Sequence, residues 1–158
     1  MRSYTTPCVL AFLLASFYAH AEPLKTTFSD TFVGCLKGNS ASSDNKIGRF
    51  EYNSTEAQFE VCGNPNCGRY ARFALSSVTP SLTRTSVNGN ATSVNFSFNC
   101  TPLQQCVSFG NSRDTYLSIK CPLPAFRDKI RSSLEVLEFS LFNGRSIQIP
   151  PEVRNLVR

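Results

Sequence analysis

Short runs in which apolar and polar residues alternate follow one another along most of the chain. The clearest run is Thr92–Asn99, where Val94, Phe96 and Phe98 are separated by Ser and Asn residues. Successive side chains of a strand point to opposite faces of the sheet. The run therefore predicts a strand with a buried aromatic face and a polar face in solvent.

Other runs of this kind recur about every ten residues, with Gly, Pro and Asn between them. Asn88-Gly89 predicts a two-residue hairpin turn, because both central positions of such a turn favour positive φ. This spacing is typical of a small, mainly β, antiparallel β-sandwich, which is the fold we predict. The other predicted strands lie near Thr27–Leu36, Ile47–Tyr52, Gln58–Cys62, Arg69–Leu75, Thr83–Val87 and Thr115–Cys121, with a polar loop over Lys37–Asn45.

The segment Arg131–Phe142 supports two predictions. Its apolar residues recur at helical spacing, and Ser132 with Glu135 has the pattern of a capping box at a helix N-terminus. The alternative is a hairpin that pairs Glu138–Phe142 with Arg145–Ile149. The predicted β fold is therefore expected with or without one C-terminal helix. The helical pattern consists of Ile130, Leu134, Leu137 and Leu141.

The N-terminal segment has the three parts of a secretory signal peptide in their usual order. Arg2 supplies a positive charge, Cys8–Ala15 is apolar, and Ala19-His20-Ala21 ends the segment with small residues at both recognition positions. The apolar run is too short for a membrane span, which requires about 20 residues. We predict a signal peptide over residues 1–21, and a single secreted β-rich domain over residues 22–158.

The cysteines form an even set once Cys8 has left with the signal peptide. An even set in an exported chain predicts disulfides, since the secretory route is oxidising. Two pairs are close in sequence and enclose turn residues, which favours local bridges and leaves one long bridge. The predicted pairs are Cys62 with Cys67, Cys100 with Cys106, and Cys35 with Cys121.

The same cysteine order resembles that of the lipid-recognition domain family of secreted sterol carriers. The resemblance covers the order of the cysteines, and Cys121 comes earlier than the last cysteine of that family. It implies that a small apolar ligand could bind between two sheets. An apolar ligand is therefore kept as an alternative partner.

Four Asn-X-Ser/Thr tripeptides predict N-glycosylation of the exported chain. Three of them lie within one short stretch, and the middle residue of the last is Cys100. Asn95 and Asn99 belong to the polar face of the predicted strand, which would place sugar on that face. The predicted acceptors are Asn53, Asn90, Asn95 and Asn99.

The residue types exclude several function classes. His20, the only histidine, lies in the predicted signal peptide, so the secreted form lacks the commonest general base and metal ligand. We therefore predict no catalytic residues, no metal and no cofactor. Glu56 with Glu60, and Glu135 with Glu138, are interpreted as solvated charges rather than as catalytic carboxylate pairs.

The basic residues are scattered rather than clustered. The chain has 16 Lys and Arg against 11 Asp and Glu. Nucleic-acid binders concentrate such residues, so no nucleic-acid partner is predicted. Arg69–Phe73, where two arginines interleave with two aromatic residues, is interpreted as an exposed strand face rather than an anion site.

These exclusions leave a secreted, non-enzymatic protein that binds an extracellular protein partner. Short loops closed by disulfides lose little entropy on binding, so the loops Gly63–Asn66 and Thr101–Gln105 are the predicted contacts. A secreted toxin or host-directed effector would share the same covalent features and is kept as an alternative. The residues predicted to contact the partner are Asn64, Asn66, Gln104 and Gln105.

Overall fold

The computed structural model describes residues 26–38, 45–63, 66–101, 104–142 and 147–158. The predicted signal peptide, Asn64 and most of the predicted loop at Lys37–Asn45 lie outside these ranges. Within them the chain is mainly β, as the alternating runs predict. The strands are β1 (Thr27–Ser29), β2 (Leu36–Lys37), β3 (Lys46–Tyr52), β4 (Glu56–Cys62), β5 (Arg69–Ala74), β6 (Val78–Val87), β7 (Asn90–Cys100), β8 (Val107–Phe109), β9 (Ser112–Asp114) and β10 (Tyr116–Pro122).

All the strands belong to one antiparallel sheet that curls into a half-barrel. Its order is β6-β7-β10-β2-β3-β4-β5-β8-β9, and β1 pairs with β3. The two-residue strand β2 joins two halves, and its register with β3 consists of Leu36 paired with Lys46. The half-barrel is compatible with the predicted sandwich, but the structure has one curled sheet and not two separate ones.

Phenylalanine side chains fill the space inside the curl. Phe73 on β5 and Phe98 on β7 have ring centroids 5.0 Å apart, although four strands separate them in the sheet. Phe32, from the turn before β2, is fully buried and packs edge-on against Phe50 and Phe96 at 5.0 and 5.2 Å. Such edge-to-face pairs add stabilisation beyond the burial of their area.

The C-terminal segment is helical, so the alternative hairpin is wrong. Helix α1 covers Arg127–Glu135 and continues as a π-helical turn over Val136–Leu141, and a short helix α2 follows at Pro151–Arg154. The predicted capping box is also wrong, because the helix begins before Ser132, whose Oγ donates to the carbonyl of Asp128. No helix in the described ranges is long and apolar enough to cross a membrane.

The three disulfides join the cysteines in the predicted pairs. Cys35–Cys121 links the start of β2 to β10 across 86 positions of sequence. Cys62–Cys67 closes the loop between β4 and β5. Cys100–Cys106 connects the end of β7 to the start of β8 and therefore links the two halves of the sheet.

Several strand predictions need correction. The opening strand is interrupted after Ser29 by a turn that inserts Phe32 into the core. Strands β8 and β9 were not predicted, because three-residue strands are too short for alternation to be recognised. The hairpin at Asn88-Gly89 is confirmed, with φ of 50° and 79°.

The polar face of β7 is less open than its pattern predicts. Ser93 is fully buried, and the Oδ1 of Asn95 is buried without a hydrogen-bond partner among the described residues. The amide nitrogen Nδ2 of Asn95 donates to Thr85 Oγ1 on the neighbouring β6 at 3.1 Å. The side chain therefore lies along the sheet instead of projecting into solvent.

Candidate functional site

A row of side chains crosses the outer face of the larger half of the sheet. Consecutive members of this row are paired directly in the register of neighbouring strands, from β1 to β9. On β3, β4, β5 and β8, the residues that alternate with them point inward, and most of them belong to the core. We call this set the outer row; it consists of Phe28, Glu51, Gln58, Arg72, Ser108 and Arg113.

Hydrogen bonds connect the centre of the outer row. Arg72 Nε donates to Gln58 Oε1 at 2.7 Å, and Arg72 Nη2 donates to the same oxygen. Gln58 Nε2 donates in turn to Glu51 Oε2 at 3.4 Å. Glu51 Oε1 pairs with Arg49 Nε at 2.5 Å, and the Arg49 guanidinium lies 4.2 Å from the centre of the Phe28 ring. The polar side chains thus hold one another in defined positions.

Arg72 keeps donors available for a ligand. A guanidinium carries five N–H groups. In Arg72, the N–H of Nε and one N–H of Nη2 donate to Gln58, so the other three are not used by this contact. The backbone of the same residue is also fixed, since Ser108 Oγ donates to the Arg72 carbonyl at 3.1 Å. An exposed arginine that is positioned in this way can bind carboxylate or carbonyl oxygens with little loss of side-chain entropy.

Two clefts adjoin at Arg72 and Glu56, which line both. The first has a volume of about 200 Å³ and extends over the outer face towards Asn53 and Thr26. The second has about 370 Å³ and extends towards Gln104, Gln105 and Arg113. We call the two clefts together the outer groove. Its walls are polar and carry charges of both signs.

The structure separates the two loops predicted to contact a partner. Gln104 and Gln105 line the outer groove beside the Cys100–Cys106 bridge. Asn66 is exposed in the loop before β5. The loop that carries Gln104 and Gln105 leads into β8 and lies beside the opposite end of β5. One partner of modest size would therefore contact the glutamines and Arg72 more readily than Asn66.

The predicted glycosylation acceptors differ in the freedom of their amide nitrogens. The Oδ1 of Asn53 accepts hydrogen bonds from the backbone of Thr55 and Glu56 at 2.8 and 2.9 Å, and its Nδ2 has no partner among the described residues. Asn90 is exposed in the β6–β7 hairpin. Asn99 is exposed, but its Nδ2 donates to Ser81 Oγ at 3.0 Å. Occupancy of all four sites stays a prediction.

The other candidate groups of the sequence have defined positions in the structure. Glu56 and Glu60 share the outer face of β4, with Gln58 between them, and Glu60 Oε1 accepts from the Tyr70 hydroxyl at 3.3 Å. Among the described residues, no cluster of three or more His, Cys, Asp or Glu could hold a metal ion. An apolar ligand between the halves would have to displace the buried phenylalanine rings, such as Phe32.

The sequence pattern does not predict the hydrogen bond between Arg72 and Gln58. Alternation places both on polar faces of their strands, but the pairing of β4 with β5 is set by register, which the pattern does not specify. No family model, no curated protein and no solved structure matches this chain. The functional interpretation therefore depends on the geometry of the site.

Proposed function

We propose that this chain is a secreted, N-glycosylated, non-enzymatic protein that binds an extracellular protein partner through the outer groove. The observation that carries the proposal is the fixed guanidinium of Arg72, held by Gln58 where the two clefts adjoin. Arginine is enriched among residues that dominate the energy of protein interfaces. Three disulfides in a small β fold are compatible with the extracellular location.

The mixed charge of the groove favours a protein as the ligand. Glu56 and Arg113 line it, and neither has an ion pair with another described residue. A nucleic acid would require a surface of one sign, and an apolar molecule would gain little from such walls. A protein surface can offer both a carboxylate and a cation to these groups.

The glycan predicted at Asn53 limits where the partner can lie. Asn53 lines one end of the groove, so a sugar there would cover the cleft beside Thr26. The end beside Gln104 and Gln105 stays open. We therefore place the main contact between Arg72 and these two glutamines, which the sequence also predicts as contacts.

The experiment that tests this proposal is capture of extracellular proteins on the immobilised, secreted protein. We expect the wild type to retain a specific protein and the double variant Gln104→Ala/Gln105→Ala to retain much less of it. A second double variant, Ser81→Ala/Thr83→Ala on the outer face of β6, should retain the wild-type amount. Far-UV circular dichroism provides the control for folding. Equal retention by the glutamine variant would contradict the proposal.

A further inference from the structure

The inner face of the sheet ends in charged side chains around the ring of Phe109. Lys37 Nζ lies 4.0 Å and Arg69 Cζ 4.4 Å from the centroid of this ring. Lys37 is paired with Ile119 and Arg69 with Val61, both fully buried, so the two cations emerge on the face that forms the core. Cation–π attraction holds both charges at this end of the curl.

The charges of this inner cluster do not cancel. Asp114 on β9 is the acidic group that acts on Lys37, yet neither Lys37 nor Arg69 forms an ion pair within the described ranges. Burial lowers the pKa of Lys37, Asp114 raises it less, and Arg69 lowers it further. Among the described residues, two cations and one carboxylate give this cluster a net charge of +1, and the ammonium of Lys37 is half-buried.

We propose that this inner cluster, formed by Lys37, Arg69, Asp114 and Phe109, binds one carboxylate group of a ligand. A single negative charge would neutralise the cluster, and the planar fork of an arginine matches the two oxygens of a carboxylate. The ammonium of Lys37, near the same ring, supplies the second positive charge. Arg69 is exposed, so the group is reached from solvent.

The surrounding structure fixes both donors before the ligand arrives. The Cys62–Cys67 bridge ends two residues before Arg69, and Lys37 follows the Cys35–Cys121 bridge within two residues. Disulfides next to both residues restrict their backbones, which reduces the entropy lost on binding. The cluster is on the opposite face of the sheet from the outer groove, so it is independent of the proposed partner site.

Acetate is a suitable probe, because it offers a carboxylate with almost no other surface. The side-chain carbon Cε of each lysine is followed by nuclear magnetic resonance while acetate replaces chloride at constant ionic strength. We expect the Lys37 signal to move saturably and the pKa of Lys37 to rise. Lys120, which alternates with inward-facing Ile119 and Cys121 on β10, should show no saturable change.

Two variants separate specific binding from a general effect of salt. Arg69→Gln should abolish the saturation at Lys37, whereas Arg84→Gln, at an exposed position of β6 in the other half of the sheet, should leave it unchanged. Preserved backbone signals show that each variant is folded. The proposal is overturned if Lys37 responds no more than Lys120, or if the Arg69→Gln protein still saturates.

Discussion

Arg72 on β5 and Gln58 on β4 are paired directly in register, and Arg72 Nε lies 2.7 Å from Gln58 Oε1. The pair fixes an exposed cation where the two clefts of the outer groove adjoin. Because Gln58 also donates to Glu51, the position of the guanidinium depends on a chain of contacts across three strands. The outer face therefore carries a connected network of polar side chains rather than a set of independently solvated ones.

The long disulfide is expected to contribute more to stability than either short one. Replacing Cys35 and Cys121 by serine opens a long loop and should lower the free energy of unfolding by about 4.6 kcal/mol, against about 2.2 kcal/mol for Cys62 and Cys67. Urea unfolding of both double variants measures the difference. An equal loss of stability in both variants would show that the entropy of the unfolded chain does not determine how much each bridge contributes.

The unmodified protein should have no reactive thiol when it is denatured without reductant, because all six cysteines of the described residues are in disulfides.

Phe32 should be the residue on which the core depends most. Its ring is fully buried among the rings of both sheet halves, so Phe32→Ala should lower the free energy of unfolding by about 3 to 5 kcal/mol. Phe139→Ala is the matched control, because that ring is 71% exposed on the π-helical turn. The control substitution should lower the free energy of unfolding by less than about 1 kcal/mol. Similar losses in both variants would contradict this description of the core.

Glycan occupancy should follow the freedom of the amide nitrogen. Asn90 is exposed, and the Nδ2 of Asn53 has no partner in the part of the chain that the structure describes. The Nδ2 of Asn95 donates to Thr85, and its Oδ1 is buried. We expect high occupancy at Asn53 and Asn90 and low occupancy at Asn95. Mass spectrometry of peptides after enzymatic deglycosylation in heavy-oxygen water measures each site. Full occupancy at Asn95 with none at Asn90 would refute the expectation.

The stability of the protein should rise in alkaline solution because of Lys37. Burial lowers the pKa of Lys37 in the folded state below its ordinary value of 10.5, with Asp114 and Arg69 acting in opposite directions. The unfolded chain then binds more protons, so the free energy of unfolding increases from the lowered pKa up to 10.5. Lys37→Met should remove this part of the pH dependence, as measured by urea unfolding at several pH values. An unchanged slope in the variant would exclude Lys37 as its source.

Alternation and turn chemistry were sufficient to predict the β class, the hairpin at Asn88-Gly89 and the two short cysteine pairs, because these depend on neighbours in sequence. The pair Cys35–Cys121, 86 positions apart, followed by elimination from the even cysteine count. They were insufficient for the curl of the sheet and for the Gln58–Arg72 pair, which depend on register between strands. Gln104 and Gln105 were predicted as contacts from their loop alone. The positions of Arg72 and Arg113 beside these glutamines are known only from the structure. Arg113, for example, lies on a strand too short to predict.

Arg72 is the residue whose removal tests the proposed function most directly. The dissociation constant of the captured partner is measured for the wild type, for Arg72→Ala and for Arg84→Ala. Arg84 is the matched control, because it is an exposed arginine on β6, in the other half of the sheet. Circular dichroism and thermal unfolding confirm that each variant is folded.

We predict that Arg72→Ala weakens binding at least tenfold, which corresponds to about 1.4 kcal/mol, and that Arg84→Ala leaves the dissociation constant unchanged. Equal affinities of the wild type and the folded Arg72→Ala protein would contradict the account. A loss confined to Arg84→Ala would also contradict it, because it would place the partner on the other half of the sheet.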